Sequence, residues 1–446
     1  MKRPLVYYFV SVYIGCFLLL ILMKGHVLSG SILAAILLGI VFFNEDKKEF
    51  LVITTFFIIG CFSFYLYFSI NIGHELEGRV IENKKGYYIV NYKGRKVELY
   101  GKLNNLKDGE RIVAKGNFKS EEDYFKGIVG KYNIIEYRKK GSDFVQELYN
   151  FRDKLYIKYS KALDEKKASI IMACCYGDTK YLSFDQKKEF NELGISHIIS
   201  VSGFHIAVVY KFLEVFLGVK LSLIIAFIYM IFTGAKAATI RAFIMILVLK
   251  FSKITYRNYD SLSALSLAGL MLIILKPYYI LDIGFNLSFL ATLGIILYNK
   301  KFQRYMYRIP QSINEPLSMT LSAQVFSMPY VMCTIKNVSM FFIPANLILI
   351  PIYSIVILLG NIGILLFKIN SLFKLNISAL YSILTSIDGA TYILLKLSPP
   401  TTEYNFLYGV FMLALFMNFI FVKRGYKNLR YFPVIMTCFI IMFNVI

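Results

Sequence analysis

The sequence predicts a polytopic α-helical membrane protein that carries one small external β-barrel domain of OB-like design. Three observations predict it. The 446 residues are 57% hydrophobic with a mean hydropathy of +0.57, and only 17% are charged, against roughly 25% in soluble domains. Apolar runs of about 20 residues, the length that crosses a hydrocarbon core, recur along most of the chain. One segment, 71–141, breaks that pattern with short alternating stretches separated by turn residues.

Residues 1–70 hold three apolar runs, 5–23, 27–43 and 50–70. The first follows Lys2-Arg3, an order shared with signal peptides. No Ala-x-Ala-like cleavage site follows and further apolar runs come at once, so it reads as a retained helix. If Lys2-Arg3 keep the N-terminus cytoplasmic, the polar loop Asn44–Glu49 is cytoplasmic too, and the third run delivers residues 71–167 to the extracytoplasmic side.

Within 71–141 four stretches read as strands: Gly86–Tyr92, Val97–Leu103, Glu110–Gly116 and Gly127–Ile135, with Lys93-Gly94 as a hairpin turn. Five or so short strands in about 70 residues suit a small barrel, of which the OB-fold is one. Tyr87, Tyr88, Tyr92, Tyr100, Tyr124 and Tyr132 lie among Lys and Arg. Aromatic rings beside cations suit single-stranded nucleic acid, since bases stack and phosphates pair; small β-domains are rich in Tyr for packing reasons as well. Residues 142–167 then place Phe144, Leu148, Phe151, Leu155, Tyr159 and Ala162 at helical spacing. This predicts an amphipathic surface helix, lying on the membrane or against the helices.

From 168 to 446 apolar segments dominate. They are 168–176, too short to span, then 197–217, 219–234, 238–250, 258–275, 282–298, 318–335, 340–367, 377–397, 404–422 and 431–446. The basic loops Lys250–Arg257, Lys300–Arg308 and Lys423–Arg430 fall together on the cytoplasmic side in this scheme. The short 238–250 and the Pro-containing 340–367 predict broken or re-entrant helices, tolerated where backbone is buried in protein or faces water.

Net charge is +22. Segment 71–167 contributes 22 basic against 15 acidic residues and the remainder 28 against 13, so most of the excess lies in membrane loops. The positive-inside bias with anionic-lipid attraction explains that, as would a guided polyanion. Cys174-Cys175 are adjacent and read as small apolar side chains. With four His and no Cys/His cluster, no metal site is signalled. No P-loop is present, and neither a cofactor nor an enzymatic activity is expected.

Polar residues at membrane depth are the candidates for function. The stretch His197-Ile-Ile-Ser-Val-Ser-Gly-Phe-His205 sets His197, Ser200, Ser202, Gly203 and His205 at the head of an apolar segment. An unbroken helix would bring the two imidazoles within about 80° of each other, and Gly203 eases a break or a close approach. Interhelical hydrogen bonding is the plainer role. A Ser–His hydrolase lacks its strand–turn–helix context and its carboxylate. Upstream, Gly177-Asp178 and Gly194 read as caps around a short helix over 184–193. Arg241 is an intramembrane cation with Glu214, Asp282 and Asp388 as possible partners. Asn286, Ser288, Gln324, Asn346 and Asn361 add internal polar groups. Such a set fits a bundle around a hydrated path, and equally one held together by polar contacts.

Four of these stretches, in order, resemble the ComEC-type competence family, bacterial channels for DNA uptake. They are Gly177-Asp178 through 197–209, Ala237–Met245 with Arg241-Ala242, Gly284–Ala291, and Ile343-Pro-Ala-Asn-Leu347 with Pro351. The resemblance covers about 170–355. Asn286 stands where the family commonly has Gln, and Phe204 where it has Leu. The His-x-His-x-Asp-His motif of the family's metallo-β-lactamase-like domain is absent from this sequence, so strand degradation would fall to another protein. The resemblance implies a channel for single-stranded DNA in the bacterial cytoplasmic membrane during natural transformation. His197, Ser200, Ser202, Gly203, His205, Arg241, Asp282, Asn286 and Ser288 would be on or beside the path, and Gly177, Asp178, Gly194, Pro344, Asn346 and Pro351 would be structural. It implies membrane lipids, a DNA-uptake receptor outside and a cytoplasmic motor ATPase as partners. The alternative is a polytopic transporter or transferase of lipid-linked envelope precursors.

Overall fold

The computed structural model describes residues 3–423 apart from 45, 85, 102, 104, 105, 340, 400, 401, 404 and 405. The expected segment 431–446 and most of the basic loop before it lie outside the described residues. The chain is a polytopic helical membrane protein, with six described helices long and apolar enough to cross a bilayer. It divides into two compact units. The first comprises 1–182, 200–289 and 354–384, and the second 183–199, 290–353 and 385–446.

In the first unit, α1 (Pro4–Met23) and α3 (Lys47–Phe68) are spans, joined through α2 (Val27–Asn44). They meet through small residues. The Cys16 thiol lies 3.1 Å from the Gly60 carbonyl and the Cys61 thiol 3.3 Å from the Gly15 carbonyl. A Cβ on Gly60 would lie 2.3 Å from the Val12 carbonyl oxygen, so only glycine permits this backbone approach.

The β-barrel follows: β1 (Glu75–Lys84), β2 (Tyr87–Tyr92), β3 (Arg95–Tyr100), β4 (Arg111–Lys119) and β5 (Ile128–Lys139), closed in the order β1-β2-β3-β5-β4. All pairs are antiparallel except β3 with β5. The expected hairpin turn is present, with φ of 48° at Lys93 and 87° at Gly94, the twist that a two-residue hairpin demands. Leu76, Val80, Val90, Val97, Leu99, Ile112, Val129 and Tyr132 fill the interior. The barrel is tied to α3 by capping. Arg95 donates to the Tyr67 carbonyl (2.9 Å) and the Leu66 carbonyl (2.7 Å), oxygens that a helix end leaves without partners.

Helix α4 (Phe144–Ala162) begins at Asp143, whose side chain accepts from the Gln146 amide. It buries Leu155 and Tyr159 among other helices, while Phe144 and Ile157 stay exposed. Helix α5 (Glu165–Tyr176) is almost wholly buried, and Cys174 and Cys175 are free thiols within it.

Three helix expectations are corrected. The segments 197–217 and 219–234 form one helix, α7 (Gly203–Phe232), bent at Gly218, whose φ of 70° only glycine adopts easily. It starts six residues later than expected because Ser202 caps it. Helix α8 (Ala237–Ile254) has 18 residues, not 13, since Lys253 suits a helix C-terminus. Helix α12 (Phe342–Leu365) runs unbroken through Pro351. Pro344 falls in its first turn, where no amide donor is needed, and Pro351 removes only one hydrogen bond.

The remaining helices are α6 (Phe184–Glu192), α9 (Ser261–Leu275), α10 (Ile283–Tyr305), α11 (Gln311–Thr334), α13 (Asn370–Leu397) and α14 (Phe406–Lys423). In the second unit, Gly294 of α10 packs on α11, where a Cβ would lie 2.1 Å from the Ser322 carbonyl. Asn314 donates to the Met306 carbonyl (2.9 Å) and accepts from Ser318 (2.7 Å).

Candidate functional site

The head of α7 is built by a reciprocal cap. The Ser202 hydroxyl accepts from the Phe204 amide at 3.3 Å, and Nδ1 of His205 accepts from the Ser202 amide at 3.1 Å. Ser202 and His205 thus satisfy two of the four amides that a helix N-terminus leaves without partners. His205 is buried, and so is Gly203.

Gly203 is the contact point with α8. A Cβ there would lie 2.6 Å from Nη2 of Arg241 and 3.0 Å from Cβ of Ala242. Arg241 is 9% exposed and donates from Nη1 to the Ser288 carbonyl at 2.7 Å, with its guanidinium 6.0 Å from the Phe289 ring centre. Its Nε meets no acceptor among the described residues. Neither Glu214 nor Asp282 pairs with it. Glu214 is taken by Lys250, and Asp282 caps α10 by accepting from the Phe285 amide at 2.6 Å. Asp388 belongs to the second unit. A backbone carbonyl dipole replaces the carboxylate, which avoids desolvating a second charge.

Asn286 completes this cluster. It donates to the Ile280 carbonyl at 2.9 Å and accepts from the Tyr13 hydroxyl at 3.3 Å, and Tyr13 also reaches the Ile280 carbonyl at 3.1 Å. Tyr13 of α1 was not legible as a site residue, because a lone Tyr in an apolar run reads as packing or as an interfacial ring. An aromatic stack extends from here. Phe289 lies 4.2 Å from Phe285, which lies 5.6 Å from Tyr279 at an interplanar angle of 10°.

The structure therefore brings together Gly203, Arg241 and the Ser288 carbonyl through close contacts, with Ser202 and His205 at the adjoining cap and Asn286 bonded to Ile280 and Tyr13. His197 and Ser200 differ: both are exposed, in the loop before α7. Gly177 ends α5 with φ of 73°. Asp178, side chain 5% exposed, lies 3.1 Å from Nε of Arg152 and 3.4 Å from Nζ of Lys180, and so pins α4 to the turn after α5. In the second unit Gly194 has φ of 68° and packs on Phe342, where a Cβ would lie 2.8 Å away. Asn346 is buried, and its Oδ1 accepts no hydrogen bond among the described residues. Among the described residues no group of three or more His, Cys, Asp and Glu is placed to hold a metal.

The barrel offers a second polar surface. An open groove of about 1090 Å³ is lined by Arg79, Tyr92, Lys93, Arg111, Arg138 and Lys140, with Glu75 and Glu77 also contributing. Separately, Tyr87 and Tyr100 stack with ring centres 5.5 Å apart, and the Lys131 ammonium lies 5.9 Å from the Tyr100 ring. Tyr132 is core, and Tyr124 packs on Phe64 and Phe68, so neither of these expected rings belongs to that surface.

Comparison with known proteins gives a consistent result. The family model described as "Competence protein" matches residues 174–427, more than half of the chain. ComE operon protein 3 of Bacillus subtilis (strain 168) is 24% identical over 305 residues, covering 64% of this chain and 37% of that protein. An uncharacterized protein of Aquifex aeolicus (strain VF5) is 26% identical over 220 residues, covering 47% of this chain and 51% of that one. The chain thus aligns with about half or less of the length of these relatives. No solved structure matches.

Proposed function

The chain belongs to the Competence protein family, and from that premise we propose that it conducts single-stranded DNA across the bacterial cytoplasmic membrane during natural transformation. One observation carries the reading. Three stretches far apart in sequence, around Gly203, Arg241 and Asn286–Ser288, meet in a buried contact inside the matched region. Together they fix the head of α7 and so Ser200, two residues before its cap.

The roles divide by exposure. His197 and Ser200, exposed in the loop before α7, meet the strand. Gly203, His205, Arg241 and Asn286, closed to it, hold the geometry; Ser202, Asp282 and Ser288, half-buried, serve the same frame. No hydrolytic step is assigned to Ser202 and His205: the hydroxyl lies 3.0 Å from Nδ1, and both atoms also accept from backbone amides of the helix cap. Outside the membrane the barrel receives DNA, with Tyr87 and Tyr100 as a stacking platform and the Arg79–Arg111–Lys140 groove as the phosphate side. A receptor outside and a motor ATPase in the cytoplasm complete the route.

Uptake of labelled DNA into the cytoplasm tests this. A deletion strain is expected to lose it. His197→Ala is expected to lower it at least several-fold while the protein accumulates normally in the membrane. Normal transformation in the deletion strain ends the proposal. Normal uptake by both His197→Ala and Ser200→Ala removes the loop from the path.

A further inference from the structure

The turn between β4 and β5 presents an aromatic ring at membrane depth. Asp123 and Ile128 bridge each other through both backbone bonds (2.9 and 3.0 Å). Oδ1 of Asp123 accepts from the amides of Phe125 (3.1 Å) and Lys126 (3.2 Å). Gly127, at φ of 70°, is covered by Tyr278, whose ring would lie 2.3 Å from a Cβ there, and its carbonyl accepts from Tyr67 at 2.9 Å. The turn is therefore held from within and from below.

Its level is fixed by Tyr124. That ring packs on Phe64 (6.1 Å, 27°) and meets Phe68 edge-on (4.9 Å, 68°). Phe68 is the last residue of the span α3 and Phe64 lies one turn before it. The Tyr124 ring thus lies level with the last turn of the span, the depth at which aromatic belts lie. Its neighbour Phe125 is 64% exposed. Lys24, the C-cap of the span α1, places its ammonium 5.0 Å from the Phe125 ring centre.

An exposed Phe on a rigid turn, level with two span ends and topped by a lysine, matches the boundary between acyl chains and headgroups. We propose that Phe125 anchors the barrel to the bilayer, its ring inserted among phospholipid acyl chains of the leaflet on the barrel's side and Lys24 meeting lipid phosphate. The surface continues the lipid-facing surface of α1 and α3, which names phospholipid as the occupant. The barrel is then fixed at two places, by the caps on α3 and by the lipid itself.

The chain contains no Trp, so Phe125→Trp introduces a single indole, which can be excited apart from the tyrosines. In phosphatidylcholine vesicles its emission is expected to be blue-shifted. Lipids brominated in the upper acyl chain are expected to quench it several-fold more than aqueous iodide does. Water-like emission, quenched by iodide and indifferent to brominated lipid, overturns the proposal. A nitroxide on Phe125→Cys, with Cys61, Cys333 and Cys438 replaced by Ser, provides the second variant. Greater accessibility to oxygen than to a nickel chelate is expected, and the reverse overturns the anchor.

Discussion

In the barrel, cations meet carboxylates: Arg79 meets Asp143, Arg111 meets Glu77 at 2.5 Å, Lys131 meets Glu121 at 2.7 Å and Lys139 meets Glu110 at 2.9 Å. Among the helices ion pairs occur as well, Arg152 with Asp178 and Lys250 with Glu214 among them, but around Arg241 and along the spans polar side chains meet main-chain carbonyls instead. Arg241 takes that of Ser288, Asn286 that of Ile280, Ser63 that of Ile274 at 2.7 Å, and Tyr229 that of Cys175 at 2.6 Å. The difference follows from solvent. An exposed ion pair keeps part of its hydration and is worth little either way. A buried one must desolvate two charges, whereas a carbonyl oxygen supplies a partner with one lone pair to spare and adds no second ion. The barrel's ion pairs should therefore answer to pH and salt, and these side chain–carbonyl contacts should answer to neither but fail heavily when a donor is removed.

The largest effect is expected at Arg241. Arg241→Ala removes the charged donor to the Ser288 carbonyl and leaves a void beside Gly203 and Phe289. Loss of a charged hydrogen bond with a buried cavity costs about 3 kcal/mol. Thermal unfolding of detergent-solubilised protein should show a fall of several degrees that added salt does not change. Unaltered stability would mean that the guanidinium is held by something other than this carbonyl. Gly203→Ala comes next. Its Cβ meets Nη2 at 2.6 Å and the Ala242 methyl at 3.0 Å, so α7 and α8 must separate slightly, at about 1–2 kcal/mol. Combining it with Arg241→Ala should recover part of that cost, because the first obstacle is gone; strict additivity would show that Ala242 alone sets the spacing.

The same contrast decides what could be read in the sequence. The barrel was legible because alternation, Lys93-Gly94 and turn residues are local signals. The helices were legible as apolar runs, but their ends were not. Ser202 and His205 are three residues apart and form a cap, a local device, yet their polarity at membrane depth pointed toward a path. The partner of Arg241 escaped because carbonyls carry no sequence signal: any residue offers one, and Ser288 serves through its backbone rather than its hydroxyl. Tyr13 escaped for a similar reason, being an amphipathic ring in an apolar run. Exposure separated His197 and Ser200 from the buried residues, and exposure exists only once the chain is folded.

The smallest expected effect lies in the barrel, at Asp143. The hydrogen bond from Arg79 holds its carboxyl below the usual carboxylate range, against a desolvation that acts the other way, and the Gln146 amide helps. The folded value is the lower one, so its stabilisation is fully present above the ordinary carboxylate pKa of about 3.9 and is lost as pH falls through the folded value. At neutral pH, Asp143→Asn keeps an N-capping side chain and loses the ion pair, a change of about 1 kcal/mol or less. Hydrogen exchange at the start of α4 reads this directly, after correction for intrinsic rates. Protection there should fall in acid in the native chain and become independent of pH in Asp143→Asn, while amides around Arg241, which carries no titrating partner, stay protected throughout. Acid-induced opening at Arg241 in the same pH range would show that a carboxylate reaches it after all, and would place the two regions under one electrostatic rule.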